Sequence, residues 1–160
     1  MKGLLYFLRA CLHRLAELCM AALALLTLVD VLGRYVVGVS VVGSVELTEI
    51  LMVGVIFCGV VLATLKREHV AVDIVPMPFG KTGEHIAGIL SHVLAIVISG
   101  LLAMVSWSQA ESALDYADQT TMLGLPLAPA VYFMSIMLFA NTVVQLGLLW
   151  EDLHKEHAHD

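Results

Sequence analysis

Four stretches of the chain, at about 12–37, 45–65, 86–110 and 123–150, are long and apolar enough to cross a bilayer. A hydrocarbon core takes ~20 mostly apolar residues per spanning helix. Once four such segments are placed, only the start at 1–11, the connections at 38–44, 66–85 and 111–122, and a tail at 151–160 remain outside the spans. Transmembrane β-strands are excluded, because they run ~10 residues and alternate polar with apolar side chains, and these segments do neither. The composition is 60% hydrophobic and only 14% charged, where a soluble domain carries roughly 25% charged residues. The expected fold is an all-α membrane protein, a single four-helix domain over residues 1–160 with no sizeable soluble part.

The start, MKGLLYFLRACLHR, has the basic residues of a cleaved signal peptide. Its one small-x-small site, Ala22-Leu23-Ala24, lies in mid-run with apolar residues on both sides. A retained first helix is therefore expected. Lys2, Arg9 and His13 share a helical face opposite Leu4, Leu8, Cys11 and Leu12, which predicts a short amphipathic segment in the membrane interface leading into that helix.

Basic residues set the expected orientation. Lys2, Arg9 and Arg14 precede the first span, Lys66, Arg67 and Lys81 lie between the second and third, and Lys155 is in the tail. With four spans these segments share one side, so both termini are expected to be cytoplasmic. The opposite side has the turn GVSVVGS and the loop ESALDYADQTTM, neither with a base. Trp107 and Trp150 fall near span ends, as interfacial anchors do. The three cysteines, Cys11, Cys19 and Cys58, form no CxxC pair and are expected to be small, inert packing thiols. The tail EDLHKEHAHD is histidine-rich without a fixed ligand spacing, and a solvated tail is expected. Nothing here suggests a nucleic-acid partner; lipid is the expected surroundings.

The stretch TLVDVLGRYVVG interrupts the first span with an acid and a base. Asp30 and Arg34 are four apart and share a face, so they can pair. At 1.5 Å per residue, both fall near the outer end of that span. Glu46 and Glu49 open the second span at the same depth, three apart and on one face. One base and three acids are thus expected to meet near the outer boundary, as a structural clasp between the first two helices. Ionisable groups in membranes normally face protein or water and pair, so an ion or proton site is the sharper alternative. The surplus of acid calls for compensation by water, protonation or a basic group on a partner.

In the third span Ala87, Ser91, Ala95, Ser99 and Ala103 recur every four residues. Small residues at that spacing allow close helix approach. His92 is the one histidine well inside a span. A haem between helices needs two ligands and no second candidate is present, so a hydrogen-bonded packing role is expected. Pro126 and Pro129 suit the first turn of the last helix.

These pieces together resemble a family: the small membrane subunit, DctQ type, of tripartite ATP-independent periplasmic (TRAP) transporters. The resemblance rests on DVLGRYVVG, on SVELTEILMVGVIFCGVVLA, on KREHVAVDIV and on TMLGLPLAPAVYFM, in that order. Lys66, Arg67, His69 and Asp73 match the family's basic-x-x-His-apolar-x-apolar-Asp signature after the second span. Arg67 stands where the family often has Gly, and Leu127 follows Pro126 where an aromatic residue is common. The resemblance implies a non-catalytic subunit of the bacterial inner membrane. It would pack as a scaffold against a large transport subunit (DctM type), which would bind the coupling sodium itself, leaving this chain without a cofactor. It would also help dock a periplasmic substrate-binding protein (DctP type) for uptake of an organic acid. The acids Glu111, Asp115 and Asp118 could meet basic patches on that binding protein, with a simple solvated loop as the equal alternative. The bottom-up reading agrees, since the chain shows no inverted repeat and no pair of broken helices. Two alternatives stand beside it: a self-contained proton-coupled exporter using Glu46 or Glu49, and the membrane anchor of a redox complex.

Overall fold

A computed structural model describes the backbone of residues 2–66 and 80–156, and the side chains of Tyr6, 8–66 and 89–150. Arg67, His69 and Asp73 of the expected motif lie outside the described residues, as does the end of the tail beyond 156. Four helices follow in order: α1 (Lys2–Leu32), α2 (Ser44–Leu65), α3 (Gly80–Asp115) and α4 (Ala128–Glu156). All four are long and apolar enough to cross a membrane, and the chain is a multi-pass membrane protein.

The helices do not close into a bundle. α1 packs on α2, α2 on α4, and α4 on α3. Among the described residues α1 touches neither α3 nor α4, and α2 does not touch α3. The result is an open row, α1–α2–α4–α3, with two broad apolar faces. Leu28, Ile56, Leu101 and Val143, one from each helix, all remain about half exposed or more. The apolar core is correspondingly small: Leu12, Cys58, Val61 and Leu62, with Ala16, Leu65, Phe133 and Met137 against them.

The helix limits differ from the sequence expectation in ways that the residues explain. The amphipathic start continues into α1 without a break, because nothing between Lys2 and Leu32 interrupts helical bonding. α1 then widens into one π-helical turn, Gly33–Val37, that ends at Gly38 in the left-handed conformation. α3 begins earlier and ends later than the apolar stretch, since its polar ends contain no proline to stop the helix. α4 starts at Ala128 rather than 123. Proline lacks an amide donor and fits a first turn; Pro129 occupies that turn, while Pro126 lies before it, bridged to Gln119 across the loop. At the other end α4 runs on past Trp150 into the expected tail.

Two glycines permit close approaches that the row requires. Gly54 is buried, and a β-carbon there would lie 2.8 Å from the Cys19 sulfur, so it sets how near α1 comes to α2. Gly43 precedes α2 with φ +74°, and a β-carbon would run into the Leu123 side chain.

Candidate functional site

At the end of the molecule where α1 turns into α2 and α3 into α4, acidic side chains hold the loops. Asp30 is 9% exposed. Its Oδ2 accepts from Arg34 Nε at 2.9 Å and lies 2.7 Å from Arg34 Nη2. Both nitrogens thus converge on a single carboxylate oxygen, within the reach that the i, i+4 spacing allows. The other oxygen, Oδ1, accepts from the Ser40 hydroxyl at 3.1 Å and the Val41 amide at 2.9 Å. Asp30 therefore fixes the whole turn between α1 and α2 from a position one helical turn below it. Arg34 remains more than half exposed.

Glu46 faces elsewhere. Its two oxygens accept the successive amides of Met122, at 2.6 Å, and Leu123, at 2.9 Å. Those amides form the tip of the α3–α4 loop. The loop is closed below the tip by Thr120 N–H to Leu125 carbonyl at 2.9 Å, Leu125 N–H to the Thr120 hydroxyl at 3.0 Å, and Leu127 N–H to Asp118 carbonyl at 3.0 Å. Consecutive amides pointing outward make a small anion-binding concavity, and Glu46 fills it. Glu49 is exposed and makes no hydrogen bond or ion pair with any described residue. It borders a groove between α2 and α4 with Ile50, Val53, Val131 and Met134.

This corrects the expectation that Asp30, Arg34, Glu46 and Glu49 form one cluster. The four divide into an Asp30–Arg34 pair on the first turn, a Glu46 clasp on the second loop, and a free Glu49. The reason is stoichiometric. Arg34 is paired with Asp30 on its own helix, and backbone amides, which carry partial positive charge, satisfy Glu46 without a base.

The expected docking acids separate as well. Glu111 accepts from Trp107 Nε1 at 3.0 Å, and Trp107 packs edge-on against Tyr132 with centroids 5.2 Å apart. Asp115 and Asp118 are exposed around the end of α3. That end is a left-handed cap with Ala117 at φ 51° and Asp118 N–H reaching Ala113 carbonyl at 2.9 Å.

A second polar set lies along α4 and was not singled out from the sequence. Ser135, Asn141 and Gln145 are all buried. The Ser135 hydroxyl donates to the Ala103 carbonyl of α3 at 2.8 Å. Asn141 Oδ1 accepts from Thr64 of α2 at 2.6 Å. Gln145 Oε1 accepts from Ser99 at 3.3 Å, and Ser99 in turn accepts from Thr142 at 3.0 Å. The available signal was an Asn and a Gln four residues apart inside an apolar helix, since such side chains bond across helices in a membrane.

The small-residue stripe is also revised. Ser99 and Ala103 are buried against α4, but Ser91 is exposed and Ala95 half-buried; the side chain of Ala87 lies outside the described set. The buried line continues instead through Ser106, Ala110 and Ala113. A strict spacing of four advances ~40° per step around the helix, whereas alternating fours and threes keep to one face.

His92 is half-buried. Among the described residues no group of three His, Cys, Asp or Glu could hold a metal ion. Of the cysteines only Cys58 is buried; Cys19 is half-buried and Cys11 exposed, all as free thiols.

A family model described as "Tripartite ATP-independent periplasmic transporters, DctQ component" matches residues 23–155. No curated protein and no solved structure matches the chain.

Proposed function

Because this chain belongs to the DctQ family of tripartite ATP-independent periplasmic transporters, we propose that it serves as the non-catalytic scaffold on which a large transport subunit rests. The family makes it the small membrane subunit of such a transporter. Our reading adds that it sits in a bacterial inner membrane with both termini in the cytoplasm. It packs against a DctM-type subunit, helps dock a DctP-type binding protein, and so supports sodium-driven uptake of an organic acid. The large subunit binds the sodium, and no cofactor binds this chain.

The observation that carries the proposal is the family match over residues 23–155. The open row is in keeping with it. A four-helix chain with two wide apolar faces has room to lay one face on a partner while the other meets lipid. Among the described residues, Asp30, Glu46, Ser135, Asn141 and Gln145 are engaged in holding loops and helices to one another. The exposed Glu49 beside the α2–α4 groove supplies a negative charge for a basic group on the partner.

Reconstitution tests the proposal. Proteoliposomes with this chain, the large subunit and the binding protein should take up substrate under an inward sodium gradient, and omission of any one should stop uptake. Solute flux driven by a pH gradient through this chain alone would overturn the scaffold reading in favour of an exporter.

A further inference from the structure

At the end of the molecule opposite the loop clasps, α1 and α2 part to form a groove of about 470 Å³. Its rim is cationic or proton-donating: Arg9 and His13, one helical turn apart on α1, face Lys66 at the end of α2. Its floor is apolar and low, made by Gly59, Leu62 and Ala63. Gly59 leaves real space, since a β-carbon built there meets nothing within 4 Å. Arg9 bonds no described residue. His13 lies 3.2 Å from Glu17, whose other oxygen takes Arg14, at 3.0 Å; neither Glu17 nor Arg14 lines the groove.

We propose that this groove binds an anionic phospholipid, with the headgroup phosphate against Arg9, His13 and Lys66 and an acyl chain along Gly59, Leu62 and Ala63. Two features select a lipid over a soluble anion. The rim stands at the start of the first apolar stretch, near residue 12, and at the end of the second: Arg9 and His13 flank Leu12, and Lys66 follows directly on Leu65, the last residue of α2. That is headgroup depth. The apolar floor, open to the side, has nothing to offer a free phosphate but matches a hydrocarbon chain. Basic pockets between membrane helices are suited to phosphate headgroups. The α1 side of the rim lies outside the segment matched by the family model, 23–155, so the site does not depend on the transporter reading.

The test is native mass spectrometry of the purified full chain in mild detergent, titrated with phosphatidylglycerol, phosphatidylcholine or inorganic phosphate. The wild type should retain phosphatidylglycerol in preference to phosphatidylcholine. Arg9→Gln and Lys66→Gln should each weaken that binding about fivefold, and Gly59→Leu should weaken both lipids by filling the floor. Arg14→Gln removes a charge from the same turn but outside the groove, and should leave binding unchanged. Equal losses in Arg14→Gln and Arg9→Gln would show diffuse surface attraction and overturn the site. Displacement of the lipid by millimolar phosphate, or no preference for the anionic lipid, would overturn it too. All four positions are exposed, and a monodisperse, fully helical protein is the required control for each variant.

Discussion

Asp30 and Glu46 hold loops with charge, whereas Ser135, Asn141 and Gln145 hold helices without it. The two sets also differ in depth. Asp30 lies in the last turn of α1 before the π-helical segment and Glu46 is the third residue of α2, close to where water reaches. Asn141 lies 13 residues into α4, roughly 20 Å along its axis. An ionised group is tolerable near the boundary and very costly at mid-depth. A neutral amide or hydroxyl is tolerable at mid-depth when bonded, but each interhelical bond there contributes only modestly. The chain thus fixes its loops firmly and its helices through several weaker bonds.

The largest effect should come from Asp30→Ala. It removes at once the acceptor of Arg34, Ser40 and Val41, and should lower the melting temperature in detergent more than any single change along α4. Asp30→Asn, which keeps an acceptor for the turn but not the charge, should fall between. Wild-type melting of Asp30→Ala would erase the distinction between charged and neutral fastening.

Next in size is Glu46→Ala, read by hydrogen exchange. Exchange should quicken at Met122 and Leu123 and stay unchanged at Val41. Arg34→Ala should do the reverse, quickening Val41 and sparing Met122 and Leu123. Loss of protection at both places in either variant would mean that the two clasps act as one connected cluster.

Along α4, Asn141→Ala and Gln145→Ala should each destabilise by about 0.6–1.7 kcal/mol, measurable by equilibrium unfolding in mixed micelles. A much larger loss in either would mean that the seam, not the loop end, is the principal fastening. The smallest change should be a gain. Ala117→Gly relieves a left-handed alanine at the end of α3 and should stabilise by ~1 kcal/mol or less with no effect on loop exchange.

The sequence made the four spans legible because length and hydropathy alone decide them. It also made the Asp30–Arg34 pair legible, because that pair is local, four residues apart on one helix. It could not place Glu46. Its partners are backbone amides some 76 residues away, and every residue but proline carries such an amide, so no side-chain pattern marks them. The row order α1–α2–α4–α3 was equally hidden. All four helices are apolar around most of their circumference, so the periodicity that would identify a buried face is weak. Ser135, Asn141 and Gln145 were visible as polar residues in the last span, yet only packing shows that they face α2 and α3 rather than lipid. The stripe on α3 was read one step too rigidly, at a spacing of four where the contact follows alternating fours and threes.

The most direct measurement is co-purification of this chain with the proposed DctM-type large subunit, in mild detergent at moderate salt. A stable complex should elute as one species, with exchange protection appearing on exposed apolar positions of one face of the row. A chain that separates cleanly as a well-behaved monomer, unchanged in exchange, would contradict its role as a scaffold subunit.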